Sequence, residues 1–302
     1  MHNAIELNEV VKYFGKLTAV RNLSLMVPRG SIYGFLGPNG AGKTTTIRIL
    51  MGILKADAGS VRVLGASEPE SIKHRLGYLP EEKGLYKKMR LLDLVAYFGQ
   101  LKGLSRREAG RRAMTLLEQF GLAARYRDRC ETLSKGLGQK LQVLATLIHE
   151  PELVVLDEPF SGLDPVNVEL IRNTILDLKH QGRTVIVSTH IMEQAEQICD
   201  AVMLINHGHK VLNGSLSEIR GGNHNTVVID YDGDGSILTQ LPGVTRVNDA
   251  GKHAELVLEA GTSPQELLSI LIQHLSIRRF DTREASLHEI FVRNVAGDVS
   301  NE

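Results

Sequence analysis

Apolar and polar residues alternate at the start of the chain in a pattern typical of strands. Within residues 4–36, the runs AIELNEVVKYF, LTAVRNLSLMV and SIYGFL are rich in apolar residues and are separated by turn residues, which predicts three strands. A helix is predicted from about Gly42, and another strand near SVRVLG at 60–65. The opening segment is therefore predicted to be mostly sheet.

Residues 91–149 change character and carry apolar residues at helical spacing, as in SRREAGRRAMTLLEQFGL. Strands return at ELVVLDEP, TVIVSTH and AVMLINHG, with helical segments between them. Strands that alternate with helices are typical of parallel sheets. We therefore predict a mainly parallel α/β core with an inserted helical subdomain at about 88–150.

The pattern breaks around RGGNHN at 220–225, and shorter strand and helix signals continue to the end. We therefore predict two domains, with the α/β unit at residues 1–222 and a small α+β domain at residues 223–302. A chain of 302 residues is long enough for each of them to have its own core.

Composition and charge are those of an ordinary globular protein, with 42% hydrophobic and 23% charged residues. The 35 Lys and Arg residues equal the 35 Asp and Glu residues, so no excess of positive charge favours nucleic acid as a partner. The basic run SRREAGRR is interpreted as a solvated helix face rather than a nucleic-acid patch. We therefore expect no nucleic-acid partner.

Cys130 and Cys199 lie far apart and lack the spacing of a metal site, so we expect reduced thiols in a cytosolic protein. The start MHNAIELNEV lacks the basic-then-apolar layout of a signal peptide. No run approaches the ~18 apolar residues that a membrane helix requires. We therefore expect that the chain does not cross a membrane by itself.

The strongest chemical signal is GPNGAGKTT at 37–45, which follows an apolar strand and opens a predicted helix. Its glycines let the backbone wrap closely, so that successive N–H groups point at phosphate oxygens. The lysine would place a cation near the β- and γ-phosphates, and the threonine after it can ligate Mg²⁺. The strand–loop–helix context disfavours the alternative of a glycine-rich turn that matches by accident. We predict a nucleoside-triphosphate site formed by Gly37, Pro38, Asn39, Gly40, Ala41, Gly42, Lys43, Thr44 and Thr45.

Two carboxylates follow the apolar run LVVL, at a strand end where parallel sheets bind ligands. Asp157 suits Mg²⁺, and Glu158 can act as a general base or position the attacking water. A solvated turn is the alternative for such a pair, but a P-loop in the same sheet favours catalysis. His190 ends the run VIVST and should lie at the same sheet edge. Its position favours a γ-phosphate sensor or catalytic partner, and a cap of the next helix is the alternative.

In this order, these segments resemble the nucleotide-binding subunit of an ATP-binding cassette (ABC) transporter over residues 1 to about 220. The resemblance implies a P-loop NTPase cassette with an antiparallel β subdomain, which uses ATP and Mg²⁺. It makes GPNGAGKTT the Walker A motif, LVVLDEP the Walker B motif, SGLD the D-loop that ends in Asp164, and His190 the switch histidine. It also places Phe14, in KYFG, against adenine, although this ring could equally be a core residue.

The segment LSKGLGQK at 133–140 is an unusual helix start, because Ser134 is a good N-cap but Gly136 and Gly138 disfavour a helix by roughly 1 kcal/mol each. It stands where the family carries its LSGGQ signature, with Lys135 and Leu137 as departures. The resemblance implies a head-to-tail dimer, homomeric or heteromeric, in which Ser134 and Gly136 contact the ATP held by the partner subunit's P-loop. A purely structural N-cap is the alternative.

Glu81, in LGYLPEEKGLY, stands where the family carries the Q-loop glutamine, and its carboxylate could serve Mg²⁺ or orient water. Together with LSKGL and the tail DTREASLHEIFVRNV, it resembles the Nat-type group of ABC ATPases, which is associated with sodium or drug export. The resemblance implies a membrane-spanning permease partner and a place on the inner face of the cell membrane. The run KGLYKKMRLLDLVAYF is where family members meet that partner, although its apolar residues could be subdomain core.

Two functions remain open from the sequence. The first is an ATP-hydrolysing motor, expected to act in export, whose dimer closes on ATP and reopens after hydrolysis at Glu158. The second is an ABC ATPase that acts on ribosomes or DNA, which predicts tandem cassettes or a coiled-coil insertion and an excess of basic residues. The sequence shows none of these features, which favours the motor.

Overall fold

The computed structural model describes residues 3–82, 84–221, 226–259, 261–283 and 286–292. The chain divides into two compact units, Met1–Asn213 and Gly214–Glu302. This division lies earlier in the chain than the predicted boundary between residues 222 and 223, because a short helix at Leu216–Gly221 groups with the second unit.

The elements of the first unit alternate between strand and helix after an initial pair of long strands. The strands are β1 (Asn3–Phe14), β2 (Leu17–Pro28), β3 (Ile32–Leu36), β4 (Ala58–Val63), β5 (Leu76–Leu79), β6 (Leu153–Asp157), β7 (Thr184–Thr189), β8 (Ala201–Asn206) and β9 (His209–Ser215). The helices are α1 (Lys43–Leu50), α2 (Leu91–Leu101), α3 (Arg106–Gln119), α4 (Lys135–Leu147), α5 (Pro165–His180) and α6 (Met192–Ile198). Short 3₁₀ helices lie at Pro69–Arg75, Ala123–Arg125 and Cys130–Thr132.

The central sheet has the strand order β5-β6-β7-β3-β8-β9. The pairs from β5 to β8 are parallel, as predicted. Every residue of β3, β6 and β7 is buried, which explains their continuous apolar runs, because a parallel sheet is covered on both faces. The carboxyl ends of β3, β6 and β7 therefore meet at one edge.

A second sheet joins β2, β1 and β4 in antiparallel fashion. Its strands alternate between buried and exposed positions, and its buried face shares a core with β3 and α1. Between β5 and β6, helices α2, α3 and α4 form the predicted helical subdomain, in which Leu91, Leu94, Ala109 and Leu117 are fully buried. The mainly parallel core, the antiparallel subdomain and the helical insertion all agree with the sequence-based prediction.

The second unit is α+β. After α7 (Leu216–Gly221) it contains β10 (Thr226–Asp232), a 3₁₀ helix at Gly235–Gln240, β11 (Val244–Asp249), β12 (His253–Leu258), α8 (Pro264–His274) and β13 (Ser276–Arg283). The strands form an antiparallel sheet of order β11-β12-β10-β13. Leu267 and Leu271 of α8 pack into a core with Tyr231 and Leu256, separate from that of the first unit.

Two further observations concern the cysteines and the length of the helices. Cys130 and Cys199 are both unpaired and buried. Among the described residues, the helices are too short or too polar to cross a bilayer.

Candidate active site

The P-loop connects the buried strand β3 to helix α1, as the motif predicts. Gly37 and Gly42 have φ values of 145° and 109°, in the region that favours glycine. A β-carbon at Gly42 would lie 2.5 Å from the Ala19 carbonyl oxygen, and one at Gly37 would overlap the Ile205 carbonyl. Both positions therefore require glycine for backbone reasons alone.

Lys43 begins α1 and folds back over the loop that precedes it. Its Nζ donates to the carbonyl oxygens of Gly37 at 2.7 Å and Pro38 at 3.1 Å. It lies 3.8 Å from Glu158 Oε1, with both side chains less than a tenth exposed. Burial lowers the pKa of Lys43 below its usual value, and the nearby carboxylates of Glu158, Asp157 and Glu81 oppose that shift.

Asp157 is the last residue of β6 and is fully buried. Its Oδ1 accepts a short hydrogen bond from the Ser188 hydroxyl on the neighbouring strand β7. Its Oδ2 is buried and has no hydrogen-bond partner among the described residues. A buried carboxylate oxygen without a partner is costly, so this atom is suited to a ligand that supplies a cation or a water.

Glu158 follows in a left-handed conformation, with φ of 50°, which is uncommon for a residue with a side chain. Its backbone N–H donates to the Ser188 carbonyl at 3.1 Å and lies 3.2 Å from the Ser188 hydroxyl. Its Oε1 lies 3.0 Å from Nδ1 of His190, which is half-exposed. The turn thus brings the predicted base, the P-loop lysine and the predicted switch histidine together.

A cavity of about 570 Å³ opens over the P-loop. The predicted residues that line it are Phe14, Asn39, Gly40, Ala41, Gly42, Lys43, Thr44, Thr45, Glu81 and Glu158. Phe14 is 47% exposed and Lys12 Nζ lies 5.7 Å from its ring centre, so this ring is a surface platform and not a core residue.

Sequence reasoning missed part of the cavity wall, which comes from β2 and from the turn between β8 and β9. Gly208 in that turn donates to the Ala41 carbonyl at 2.9 Å and accepts from the Arg21 backbone N–H at 2.9 Å. Proximity to Phe14 could have indicated the β2 residues, but local periodicity cannot show that β8 lies beside β3. The missed residues are Leu17, Thr18, Ala19, Arg21, His207 and Gly208.

The side-chain oxygen atoms near the P-loop fit Mg²⁺ as it binds in nucleotide sites. Thr44 and Glu81 line the cavity, and Asp157 offers its unpartnered Oδ2. Mg²⁺ prefers oxygen ligands and usually combines one or two carboxylates with substrate phosphates and water. Burial raises the pKa of the nearby Tyr78 to about 12, so this phenol adds no charge to the site.

The predicted signature residues lie elsewhere on the chain. Ser134 caps α4, with its hydroxyl accepting from the Leu137 N–H at 3.4 Å, so the helix begins at Lys135 and includes both glycines. A β-carbon at Gly136 or Gly138 would make only ordinary contacts, at 3.4 Å or more. Neither glycine is therefore required by the chain's own packing, unlike those of the P-loop.

Asp164 also lies outside the cavity lining, where it caps α5. Its carboxylate accepts from the Asn167 N–H at 3.0 Å, and this bond holds the pKa of Asp164 below its usual value. The structure thus gathers the P-loop, Asp157, Glu158, Glu81 and His190 at one sheet edge. It leaves Ser134, Gly136 and Asp164 in a separate group at the starts of α4 and α5.

The gathered residues have the chemistry of phosphoryl transfer to water. Backbone N–H groups and Lys43 can hold phosphates, and Glu158 can accept a proton from a water beside them. His190 is placed to orient Glu158 through their 3.0 Å contact.

Two protein-family models match the chain. Residues 20–161 match the family described as ABC transporter, and residues 214–295 match the C-terminal domain of the ATP-binding protein DrrA1-3-like family. The second match begins where the structure places its second compact unit.

Relatives of the chain are similar over almost its whole length. An uncharacterized ABC transporter ATP-binding protein of Bacillus subtilis (strain 168), YhaQ, is 39% identical over 96% of this chain and 98% of its own. The Nod factor export ATP-binding protein I of Cupriavidus pinatubonensis is 33% identical over 96% of this chain and 90% of its own. A solved structure of an ATP-binding subunit of an ABC transporter superposes with a TM-score of 0.67 at 30% identity, over 72% of this chain and 92% of that one.

Proposed function

Because the chain belongs to the ATP-binding subunits of ABC transporters, a family that hydrolyses ATP, we propose that it is the motor subunit of an exporter. In this proposal two cassettes close head to tail over two ATP molecules, and hydrolysis reopens them. The motion drives a membrane-spanning permease against which the cassettes sit on the inner face of the membrane.

The observation that carries the proposal is the split between the two groups of site residues. Gly37 and Gly42 of the P-loop are required by their backbone geometry, whereas a β-carbon at Gly136 would make only ordinary contacts within its own chain. The first turn of α4 also contains no acidic residue, although its N–H groups favour negative charge. A phosphate that approaches from a second subunit would account for the cleared, uncompensated helix start.

Within one composite site, the residues of this chain divide the work of hydrolysis. The P-loop N–H groups and Lys43 bind the phosphate chain, and Lys43 leaves the carbonyls of Gly37 and Pro38 to do so. Glu158 accepts the proton of the attacking water, while His190 holds the carboxylate in place.

The same site holds the metal in this proposal. Thr44, Asp157 and Glu81 are the residues that would hold Mg²⁺, which neutralises charge that develops on the phosphates. At the opposite end of the cavity, Phe14 offers a face for adenine stacking.

Similarity to relatives supports export and a permease partner, and an exposed aromatic surface supports the partner as well. The Nod factor relative is named for export. Leu91, Leu94 and Val95 are fully buried, so these apolar residues of the predicted partner region belong to the subdomain core. Tyr86 is 52% exposed and packs edge-on against Tyr97 at 5.7 Å, so it offers an aromatic surface within this region to a partner.

A mixing experiment tests the shared sites. Lys43→Ala removes the cation that contacts phosphate in this proposal, and Ser134→Arg blocks the start of α4. Each homodimer should therefore lose ATP hydrolysis at both sites. In a mixed dimer both defects fall in one site, and the other joins an intact P-loop to an intact signature. Mixing the two inactive proteins should therefore restore hydrolysis, or at least one occluded nucleotide per dimer.

The matched control is Ser105→Arg, because Ser105 caps α3 in the same way that Ser134 caps α4. Losing a cap costs about 1 kcal/mol, and Ser105→Arg should keep its ATPase activity in the homodimer. The shared-site arrangement would be contradicted if mixed dimers, confirmed by two different tags, show neither hydrolysis nor occlusion.

Purification of the chain from detergent-solubilised membranes tests the permease proposal. A multi-span membrane protein should co-purify with it.

A further inference from the structure

One buried side chain links helix α4 to the turn that carries Glu158. Gln139, in the second turn of α4, is 3% exposed. Its Nε2 donates to the Pro159 carbonyl at 3.1 Å, across 20 residues of sequence. Its Oε1 has no partner among the described residues, so the amide is buried for the sake of one hydrogen bond. Burying an amide that is only half satisfied is costly, which calls for a reason.

The acceptor of that bond is the residue directly after the base. Proline has no N–H, so the carbonyl is the only backbone group through which Pro159 can be anchored by a hydrogen bond. Upstream, Glu158 is held at positive φ by its bonds to Ser188. The strained residue is therefore fixed on one side by β7 and on the other by Gln139.

Further contacts extend the link to the beginning of α4. The side chain of Lys135 lies over Gly162, where a β-carbon would be 2.5 Å from Nζ. Gly136 faces Leu163 and Asn167 at ordinary contact distances. The first two turns of α4 thus follow the segment from Pro159 to Asn167 along its length.

We infer that Gln139 is a positioning residue for Glu158, and that it couples the start of α4 to the base of the same chain. The inference rests on the proposed function, in which Glu158 is the base and the start of α4 meets the neighbour's nucleotide. A shift of α4 on closure moves the Pro159 carbonyl with it, so engagement of one site sets the geometry of the other. Gln139 itself touches neither nucleotide nor water in this role.

The test replaces Gln139 by Leu in the full chain, with Gln142→Leu as the matched control. Gln142 lies in the same helix, is 8% exposed and likewise has an unpartnered Oε1, but within the described part of the chain no side-chain hydrogen bond joins it to the turn that carries Glu158. Gln139→Leu should lower kcat for ATP hydrolysis about tenfold, which corresponds to about 1.4 kcal/mol, with KM changed less than about twofold. Gln142→Leu should leave kcat within about twofold of wild type.

A double-mutant cycle shows whether Gln139 acts through Glu158. If it does, Gln139→Leu should have little further effect on the residual single-turnover rate of Glu158→Gln. Gln139→Met, which keeps the length of the side chain, repeats the cycle if the leucine variant is poorly folded, as judged by thermal melting.

Three outcomes separate the possibilities. Equal loss of kcat in the Gln139 and Gln142 variants would overturn the inference and leave the proposed function intact. The inference would also be overturned, with the proposed function intact, if Gln139→Leu lowers the rate of Glu158→Gln by the same factor as it lowers the rate of the wild type. Wild-type turnover by Glu158→Gln would instead remove Glu158 as the base, and the inference with it.

Discussion

Glu158 combines features that rarely occur together in one residue. It is 7% exposed, has positive φ, and lies within reach of both a cation and an imidazole. In the proposed function this carboxylate accepts the proton of the attacking water, 3.8 Å from the Lys43 ammonium. Strain of this kind, of order 1–3 kcal/mol, persists where the surroundings fix the backbone, as Ser188 and Gln139 do here.

At the residue scale, Glu158→Gln should separate binding from hydrolysis. An amide keeps the shape of the carboxylate but cannot accept the proton, so turnover should fall by about 10²- to 10⁴-fold. ATP binding should persist, and an ATP-bound dimer should accumulate on size-exclusion chromatography. Glu118→Gln, on the exposed face of α3, is the control and should behave like wild type. Undiminished hydrolysis by the Glu158 variant would exclude this residue from the chemistry.

At the scale of elements, helix α4 begins with two glycines, which are poor helix formers. Its first turn contains Lys135, Gly136 and Gly138, with no acidic residue to complement the helix dipole. The packing of the chain does not explain the two glycines, since both have room for a β-carbon. The two glycines therefore lower the stability of the helix start, and the missing side chains leave it more accessible.

This trade predicts opposite effects on stability and activity. Gly136→Ala should stabilise the helix by up to about 1 kcal/mol and raise Tm by about 2 °C, because alanine is the better helix former. It should also lower ATPase activity, since the methyl group occupies space that the neighbour's phosphate needs. Gly138→Ala should give a similar gain in Tm with activity retained. Calorimetry and turnover assays check both, and an active, stabilised Gly136→Ala would argue against phosphate approach at this position.

Much of this organisation was predictable because it is local. The continuous apolar runs of β3, β6 and β7 follow from burial on both faces, and the P-loop follows from the glycines between β3 and α1. The strand order could not be predicted, because periodicity carries no information on which strands are neighbours. For that reason Arg21 and His207 were missed as cavity residues. The sequence showed a good N-cap at Ser134 followed by two glycines that disfavour a helix, and in the structure the cap and the contacts with residues 159–167 outweigh the glycines, so that α4 starts at Lys135.

At the scale of the whole molecule, the two units have separate cores. The first is built around β1, β3 and α1, and the second around β10, β12 and α8. Each core is complete within its own stretch of chain, which is the property of an independently folding domain.

Truncation after Gly222 should therefore leave a folded cassette. It retains all of β9, which completes the central sheet, and removes the sheet of the second unit. The truncated protein should stay monodisperse and bind ATP with an affinity within a few-fold of the full chain. Truncation after Asn206, which deletes β9, is the control and should aggregate. Aggregation of both would show that the second unit supports the first.

The P-loop and the first turn of α4 belong to one polypeptide, although in the proposed dimer they serve different nucleotides. One codon therefore sets the same residue in both composite sites, and no mutation in a homodimer can be confined to one of them. Two unequal sites require two genes whose products associate and which have diverged from each other. A division of labour between the sites of such a motor thus begins with gene duplication.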